Sequence, residues 1–448
     1  MLASSRLFNW LKFTIPIIAI FWFSTYFINS SSAYSEVIRK FQDEKKLFIS
    51  DFLEHEIDGE FDGSSISELC RSKQWSKDLI LSCESPPGGV GNVKNAHLNC
   101  IRFAIELGAE LIIPGIIKRS EHDISKVTPH AKAPQRGVSL DYFFDAEHLN
   151  HSLATYCPQM KLHRSLNDLW EVPSVLTAQK LAIQEVGIRI DNLGILTEPH
   201  QVGFHLQSYV NTLSPPRERK HPVRFNLAAT YFVWPTVSDG EHFARHFGRI
   251  LRIRHDARRL AAAVLFGMQK RFGLRLDPRD GMGASDSFVG VHLRTEKDAG
   301  SNFPPYETQA AYYLDYVVKS GAAVAFLATG ASPENVTAFT ERAREFNVTT
   351  VSKLDLLTDP NDAAALDQLA YDQRALVDYE VMLRAGLMTG TAQSPFAWNL
   401  AMRRRNAYGR TADPEPAPPN LSVQWKDRYS TIFGESERGP AMQLTIWP

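Results

Sequence analysis

The sequence predicts an α/β protein built on two parallel sheets, and three observations predict it. From Phe288 to Arg405, short apolar runs alternate with amphipathic stretches, the pattern of a doubly wound sheet. Between Lys77 and Pro114 the order is apolar run, glycine loop, helical period and apolar run. The chain has 448 residues, more than one domain usually holds.

The first half opens at Lys77–Ser82, a short buried strand. A glycine-rich loop, Pro86–Asn92, comes next. Leu98, Ile101, Ile105 and Leu107 then keep a helical period, and Leu111–Ile113 before Pro114 is the next strand. Such a unit predicts a parallel pair with a right-handed crossover. Asn211–Pro222 reads as a loop, Val223–Val233 contains a strand, and Glu241–Arg271 reads as one long arginine-rich helix. Its arginines read as a solvated face, with Arg249 or Arg252 able to reach across a cleft. Leu276–Ser287, with Pro278, Gly281 and Gly283, marks the boundary between halves 77–280 and 281–448.

In the second half, Phe288–Leu293, Ala323–Ala328, Val348–Val351 and Leu387–Thr389 read as strands. Tyr306–Ser320, a segment capped by Ser332 with Pro333 at its first position, Asp367–Ala385 and Phe396–Arg405 read as helices. The proline-rich stretch Thr411–Asn420 reads as irregular.

Ahead of these halves, Phe13–Ser35 has no charged side chain and is long enough to span a bilayer core. Arg6 and Lys12 precede it, so the positive-inside rule predicts a cytoplasmic tail at 1–12, an anchor at 13–35 and a lumenal body. A cleaved signal peptide, with Ser31-Ser32-Ala33 as a loose cleavage site, is the alternative. Residues 36–76 read as a stem. The expectation is a single-pass type II protein of the Golgi or endoplasmic reticulum membrane. Sequons at Asn29, Asn150, Asn335, Asn347 and Asn420 agree with a lumenal body. Cys70, Cys83, Cys100 and Cys157 permit two disulfides in any of three connectivities.

Apolar residues make up 44% of the chain, enough for sizeable cores. With 49 Lys and Arg against 50 Asp and Glu, bulk electrostatic binding of nucleic acid is excluded, as is that of an anionic membrane.

Ligands of parallel sheets bind beyond the carboxyl ends of the strands, and four pieces of sequence fall there. Gly88, Gly89 and Gly91 let backbone approach a ligand, with Asn92 and free helix N–H groups beyond them. His292 and Arg294 leave one strand on one side, and a planar guanidinium grips a diphosphate with two parallel bonds; a structural ion pair is the other use of such an arginine. Asp378 and Glu380 lie on a helix. Thr389–Phe396 runs from strand to helix through small polar residues, an arrangement that suits a phosphate. His242 and His246 lie one helical turn apart after Glu241, but no third zinc ligand is in register and no Asp-x-Asp motif occurs.

In this order the pieces resemble the O-fucosyltransferase-like family. Cys83–Asn92 resembles its glycine–asparagine loop, Asp141–Leu149 its Phe-Asp segment, and Val291-His292-Leu293-Arg294 its His-Leu-Arg strand. Phe326-Leu327-Ala328-Thr329-Gly330 resembles its Leu-Ala-Thr-Gly strand, and Asp378–Arg405 its donor region. The chain departs at Lys94 and Asn95, where many members carry Arg or Gln, and at Pro395, which interrupts a serine–phenylalanine run.

The resemblance implies a GT-B-like enzyme, two Rossmann-like domains facing a cleft, preceded by one transmembrane helix. It implies metal-independent transfer of fucose from GDP-fucose to a protein or glycan hydroxyl, with inversion and no cofactor. By position, Asn92 lies near the reacting centre and Arg294 on the β-phosphate, while His292, Asp378, Ser394 and Phe396 touch the nucleotide. Glu84, Glu296 and Asp298 are candidates for the general base. Two alternatives stand beside this reading: a non-catalytic glycan-binding descendant of the fold, and a transferase using another nucleotide sugar.

Overall fold

The structure is a computed structural model that describes residues 40–120, 137–213, 221–279, 287–296, 299–408 and 422–448. It divides into two units, 1–51 and 52–448. Of the first, only 40–51 are described, and they are helical.

Among its described residues the second unit, 52–448, holds two sheets. In the first sheet, β1 (Leu79–Cys83), β2 (Glu110–Ile112), β3 (Leu162–His163), β4 (Ala178–Leu181) and β5 (Val223–Leu227) lie in the order β3-β2-β1-β5-β4, every pair parallel. In the second, β6 (Val289–Leu293), β7 (Val324–Thr329), β8 (Thr349–Val351), β9 (Leu387–Thr391), β10 (Val423–Lys426) and β11 (Ser430–Phe433) lie in the order β10-β11-β9-β6-β7-β8. Only the β10–β11 pair is antiparallel. The five residues of β6 are all buried, as a central parallel strand covered on both faces requires.

Each sheet reverses its winding once. After β1 the chain builds β2 and β3 on one side, then β5 and β4 on the other. After β6 it builds β7 and β8 on one side, then β9 and β11 on the other. Crevices therefore lie at the carboxyl ends between β1 and β5, and between β6 and β9.

The helix after β1, Val90–Leu107, is buried along nearly its whole length and stops at Gly108, which adopts φ +63°. Its polar side chains are satisfied by distant chain. Asn95 accepts from the Trp447 N–H at 2.8 Å and donates to the Thr445 carbonyl at 3.1 Å, and Asn99 accepts from the Trp447 indole at 2.9 Å. Arg102 grips Asp239 with two bonds and Glu106 with a third. The helix Pro395–Tyr408 sends Arg404 under the end of the helix Tyr371–Leu383. There its guanidinium donates to the carbonyls of Met382, Leu383, Ala385 and Gly386 at and just beyond the helix end, and to that of Tyr429 before β11. Two disulfides, Cys70–Cys157 and Cys83–Cys100, select one of the three possible connectivities.

Several expectations are corrected. Glu241–Arg271 is not one helix: it breaks into Glu241–Phe247, a 3-10 turn and His255–Phe272. The break is where Ile253 bridges to Phe144 and where a side chain at Gly248 would strike the Pro448 carbonyl. Nor are its arginines a solvated face. Arg249 donates to the carbonyls of Gly59 and Glu60, Arg252 pairs with Asp145, and Arg258 pairs with Glu56. Residues read as stem thus supply core: Phe52, Ile66 and Cys70 are fully buried, and Asp58 pairs with Arg403 at 2.9 Å. The membrane expectation is corrected as well. Among the described residues no helix is long and apolar enough to cross a membrane, and single-pass type II anchoring in the Golgi or endoplasmic reticulum is not supported. The segment 13–35 that suggested it lies outside the described residues, as do 1–12, Asn29, Asn420 and the stretch 411–420.

Candidate active site

β6 delivers His292 and Arg294 to the crevice between β6 and β9. His292, 7% exposed, hydrogen-bonds the Ser394 hydroxyl through Nε2 at 3.0 Å. Its ring stacks on Phe396 with centroids 4.6 Å apart and an interplanar angle of 28°. Phe396 in turn lies edge-on to Tyr379. Ser394 stands one residue before the helix Pro395–Tyr408 and also accepts from the Ala397 N–H, so one hydroxyl caps the helix and fixes the imidazole. Burial pushes His292 down to about 4; Arg294 adds to the shift and Glu296 opposes it, so the ring is neutral near pH 7.

Arg294 is held at both ends. Gln309 bonds its backbone twice, accepting from the N–H at 2.9 Å and donating to the carbonyl at 2.7 Å. Its guanidinium pairs with Glu296 and lies 5.4 Å from the centre of the Phe303 ring. Glu296 uses its other oxygen to accept from the Gly330 N–H at 2.6 Å. Tyr371 donates to the Gly330 carbonyl at 3.2 Å.

The glycine loop arrives from the crevice between β1 and β5. Gly88 adopts φ +131°, open to glycine alone, and the Asn92 amide folds against it. Gly89 precedes the helix Val90–Leu107. A Cβ on Gly91 would lie 2.5 Å from the Pro395 carbonyl oxygen and 2.8 Å from the Phe396 nitrogen. The two crevices therefore meet where these helices begin. Gly88, Gly89, Gly91, Asn92, His292, Ser394 and Phe396 are brought together, with Arg294 two residues beyond His292 on the same strand end.

Asp378 is placed differently. It is buried and paired with Lys353 at 2.5 Å. Burial lifts it to about 6 against the pull of Lys353, and the charge of Glu296 adds to the rise. Its neighbour two residues on, Glu380, pairs with Arg384 in the core. Glu84 comes directly after β1, its N–H bonded to the Leu227 carbonyl. Asp298 lies outside the described residues. Arg249 and Arg252 are committed elsewhere and do not reach this site.

The family model for GDP-fucose protein O-fucosyltransferase matches residues 80–407. The chain belongs to that family. It is accordingly a glycosyltransferase, a fucosyltransferase with GDP-fucose as donor. No curated protein matches the chain. Among solved structures, POFUT1 in complex with GDP-fucose is similar at 14% identity and TM-score 0.46, covering 81% of this chain and 100% of that one. A mutant of Arabidopsis thaliana FUT1 in complex with GDP is similar at 11% identity and TM-score 0.39, covering 76% of this chain and 71% of that one. The fucosyltransferase NodZ from Bradyrhizobium is similar at 12% identity and TM-score 0.37, covering 75% of this chain and 93% of that one.

In this O-fucosyltransferase no group of three His, Cys, Asp or Glu side chains able to hold a metal ion occurs among the described residues. His242 bonds Asp62 and Ser65, and His246 accepts from the Asp62 N–H. Lys94, where many family members carry another residue, donates to the Pro448 carbonyl at 3.0 Å. Its burial beside Arg403 pushes it down to about 7. Sequence reasoning missed Gln309, Lys353 and Tyr371, and read Gly330 only as the end of a strand motif. Each of the three missed lies far from its partner along the chain or on a helix face that carries no motif, so no local pattern marks it.

Proposed function

We propose that this O-fucosyltransferase moves fucose, with inversion, from GDP-fucose to a hydroxyl of a protein or glycan acceptor. Residues 281–448 hold the donor and residues 77–280 face the acceptor. The observation that carries the reading is the meeting of the two crevices at Gly91 and Pro395, with His292 and Arg294 at the same strand end.

The chemistry follows from charge. The bond between the anomeric carbon and the β-phosphate oxygen breaks, and its electron pair leaves with GDP. A guanidinium at that oxygen stabilises the transition state more than the ground state, because the charge is larger there. The acceptor oxygen attacks the opposite face of the oxocarbenium-like sugar and loses its proton to a base. Neutral His292, locked by Ser394 and Phe396, offers the nucleotide a fixed wall without adding a charge. Asn92, whose amide lies against Gly88, suits the sugar.

The test is calorimetric titration of the purified protein with GDP, UDP and CDP under chelation, followed by transfer assays with GDP-fucose and GDP-mannose. Selective GDP binding and fucose transfer support the reading. Preference for UDP, or binding without transfer to any hydroxyl acceptor, overturns it.

A further inference from the structure

We infer that Glu296 is the positioning residue for Arg294, and that it is not the general base. The inference rests on the proposed role of Arg294 at the donor diphosphate.

The carboxylate of Glu296 has two oxygens, and both are engaged. One holds the Arg294 guanidinium and the other accepts from the Gly330 N–H at 2.6 Å. The side chain is 11% exposed; its bond to Arg294 is partly buried, and its bond to the Gly330 N–H lies at the surface. A base must take the proton of the acceptor hydroxyl; Glu296 already spends one lone pair of each oxygen on an arginine and a backbone amide, and taking up a proton would cancel the charge that holds Arg294.

The same two bonds make a good bracket. Gln309 fixes only the backbone of Arg294, leaving a long side chain to be ordered. Glu296 ties it to the loop after β7, and Tyr371 holds that loop from the other side through the Gly330 carbonyl. A Cβ at position 330 would have to displace the Tyr371 hydroxyl and would lie 3.0 Å from a Glu296 oxygen. The guanidinium is thus tied through Glu296 to two segments distant in sequence, the Gly330 loop and Tyr371, before any donor arrives. Ordering it beforehand strengthens donor binding, because less freedom is lost on association.

The experiment measures GDP affinity, kcat, KM for GDP-fucose and the pH profile of kcat/KM for Glu296→Gln, Tyr371→Phe and Arg294→Ala, each checked for folding by circular dichroism. Glutamine keeps the shape and the Gly330 bond but loses the charge that holds the arginine. For Glu296→Gln we expect GDP affinity to fall roughly 10- to 100-fold, the worth of a charge-assisted bond, with KM rising and the acid limb of the pH profile unmoved. Tyr371→Phe should show the same pattern more weakly. If Glu296→Gln leaves GDP affinity and KM unchanged while kcat collapses and the acid limb disappears, Glu296 is the base and the inference is overturned. Wild-type behaviour of Glu296→Gln in all four quantities overturns it too. If Arg294→Ala binds GDP normally, it is the underlying role of Arg294 that fails, a result distinct from either.

Discussion

Gly91 is packed so closely on Pro395 that the hydrogen of its α-carbon occupies space no methyl group can enter. A Cβ there would lie 2.5 Å from the Pro395 carbonyl oxygen, and that neighbour is backbone at a helix start, which does not yield easily. In a helix, alanine for glycine ordinarily gains up to about 1 kcal/mol. Overpacking costs about 1 to 3 kcal/mol and wins here. Gly91→Ala should therefore lower the thermal midpoint and weaken GDP binding together, since the change pushes apart the two helix starts that frame the site. Calorimetry and thermal unfolding on the same sample check both.

Arg294→Ala should abolish transfer and weaken GDP binding roughly 10- to 100-fold, while the fold persists. Its backbone stays bonded to Gln309, and Glu296 keeps the Gly330 N–H. Titration with GDP reads the loss, and an unchanged affinity would remove Arg294 from the donor site.

Burial holds His292 near 4 against an ordinary value of 6.5. In that window the unfolded chain binds a proton that the folded one refuses. The stability linked to His292 is thus fully present above 6.5 and is lost progressively as the pH falls through about 4. The whole effect is on the order of 3 kcal/mol. His148 and His246 shift the same way, so the wild-type curve contains all three. Denaturant unfolding of wild type and His292→Phe from pH 7 to 4 isolates one contribution: the difference between them should shrink with acidity. A constant difference would mean that the imidazole is solvated.

The Cys83–Cys100 bridge joins residues 17 apart and encloses the glycine loop. A loop of this size constrains the unfolded chain by about 3 kcal/mol. Replacing both cysteines with alanine should cost about that much in urea unfolding and should raise KM for the donor, because Gly88, Gly89 and Gly91 lie inside the loop. A loss of stability with unchanged KM would show that the helix alone fixes the loop.

Lys353→Met should leave the Asp378 carboxylate buried without its cation and cost about 3 to 5 kcal/mol. Pairing it with Asp378→Leu should restore much of the loss. GDP affinity of the double variant then separates a structural Asp378 from one that touches the nucleotide.

Much of the second half was legible in the sequence, because buried parallel strands are continuous apolar runs. Val289–Leu293, Val324–Thr329 and Leu387–Thr391 fall within a residue or two of their expected places. The β10–β11 hairpin was not legible: Ser430-Thr431-Ile432-Phe433 is short and half polar, and it is a strand because β9 lies beside it. Asp367–Ala385 was expected as a helix and the chain makes it over Tyr371–Leu383; the helix Pro360–Asp367 just ahead of it was not read. At the site, His292 with Ser394 and Phe396 could be placed from strand ends and helix starts. The partnership of Lys353 with Asp378 could not, since 25 residues and two helices separate them.

Asn95 and Asn99 have a consequence for biosynthesis. Their partner, Trp447, stands 352 residues after Asn95. A ribosome adding roughly 5 to 20 residues per second needs roughly 20 to 70 seconds to cover that distance. During that interval the amides of Asn95 and Asn99 can already donate to the carbonyls of Thr230 and Tyr231, but their side-chain oxygens still wait for the donors of Trp447. The nascent first half is thus an unfinished object whose central helix is completed only when Trp447 clears the exit tunnel. Stalled synthesis, or a frameshift late in the message, would leave that helix incomplete although every residue of it had been made.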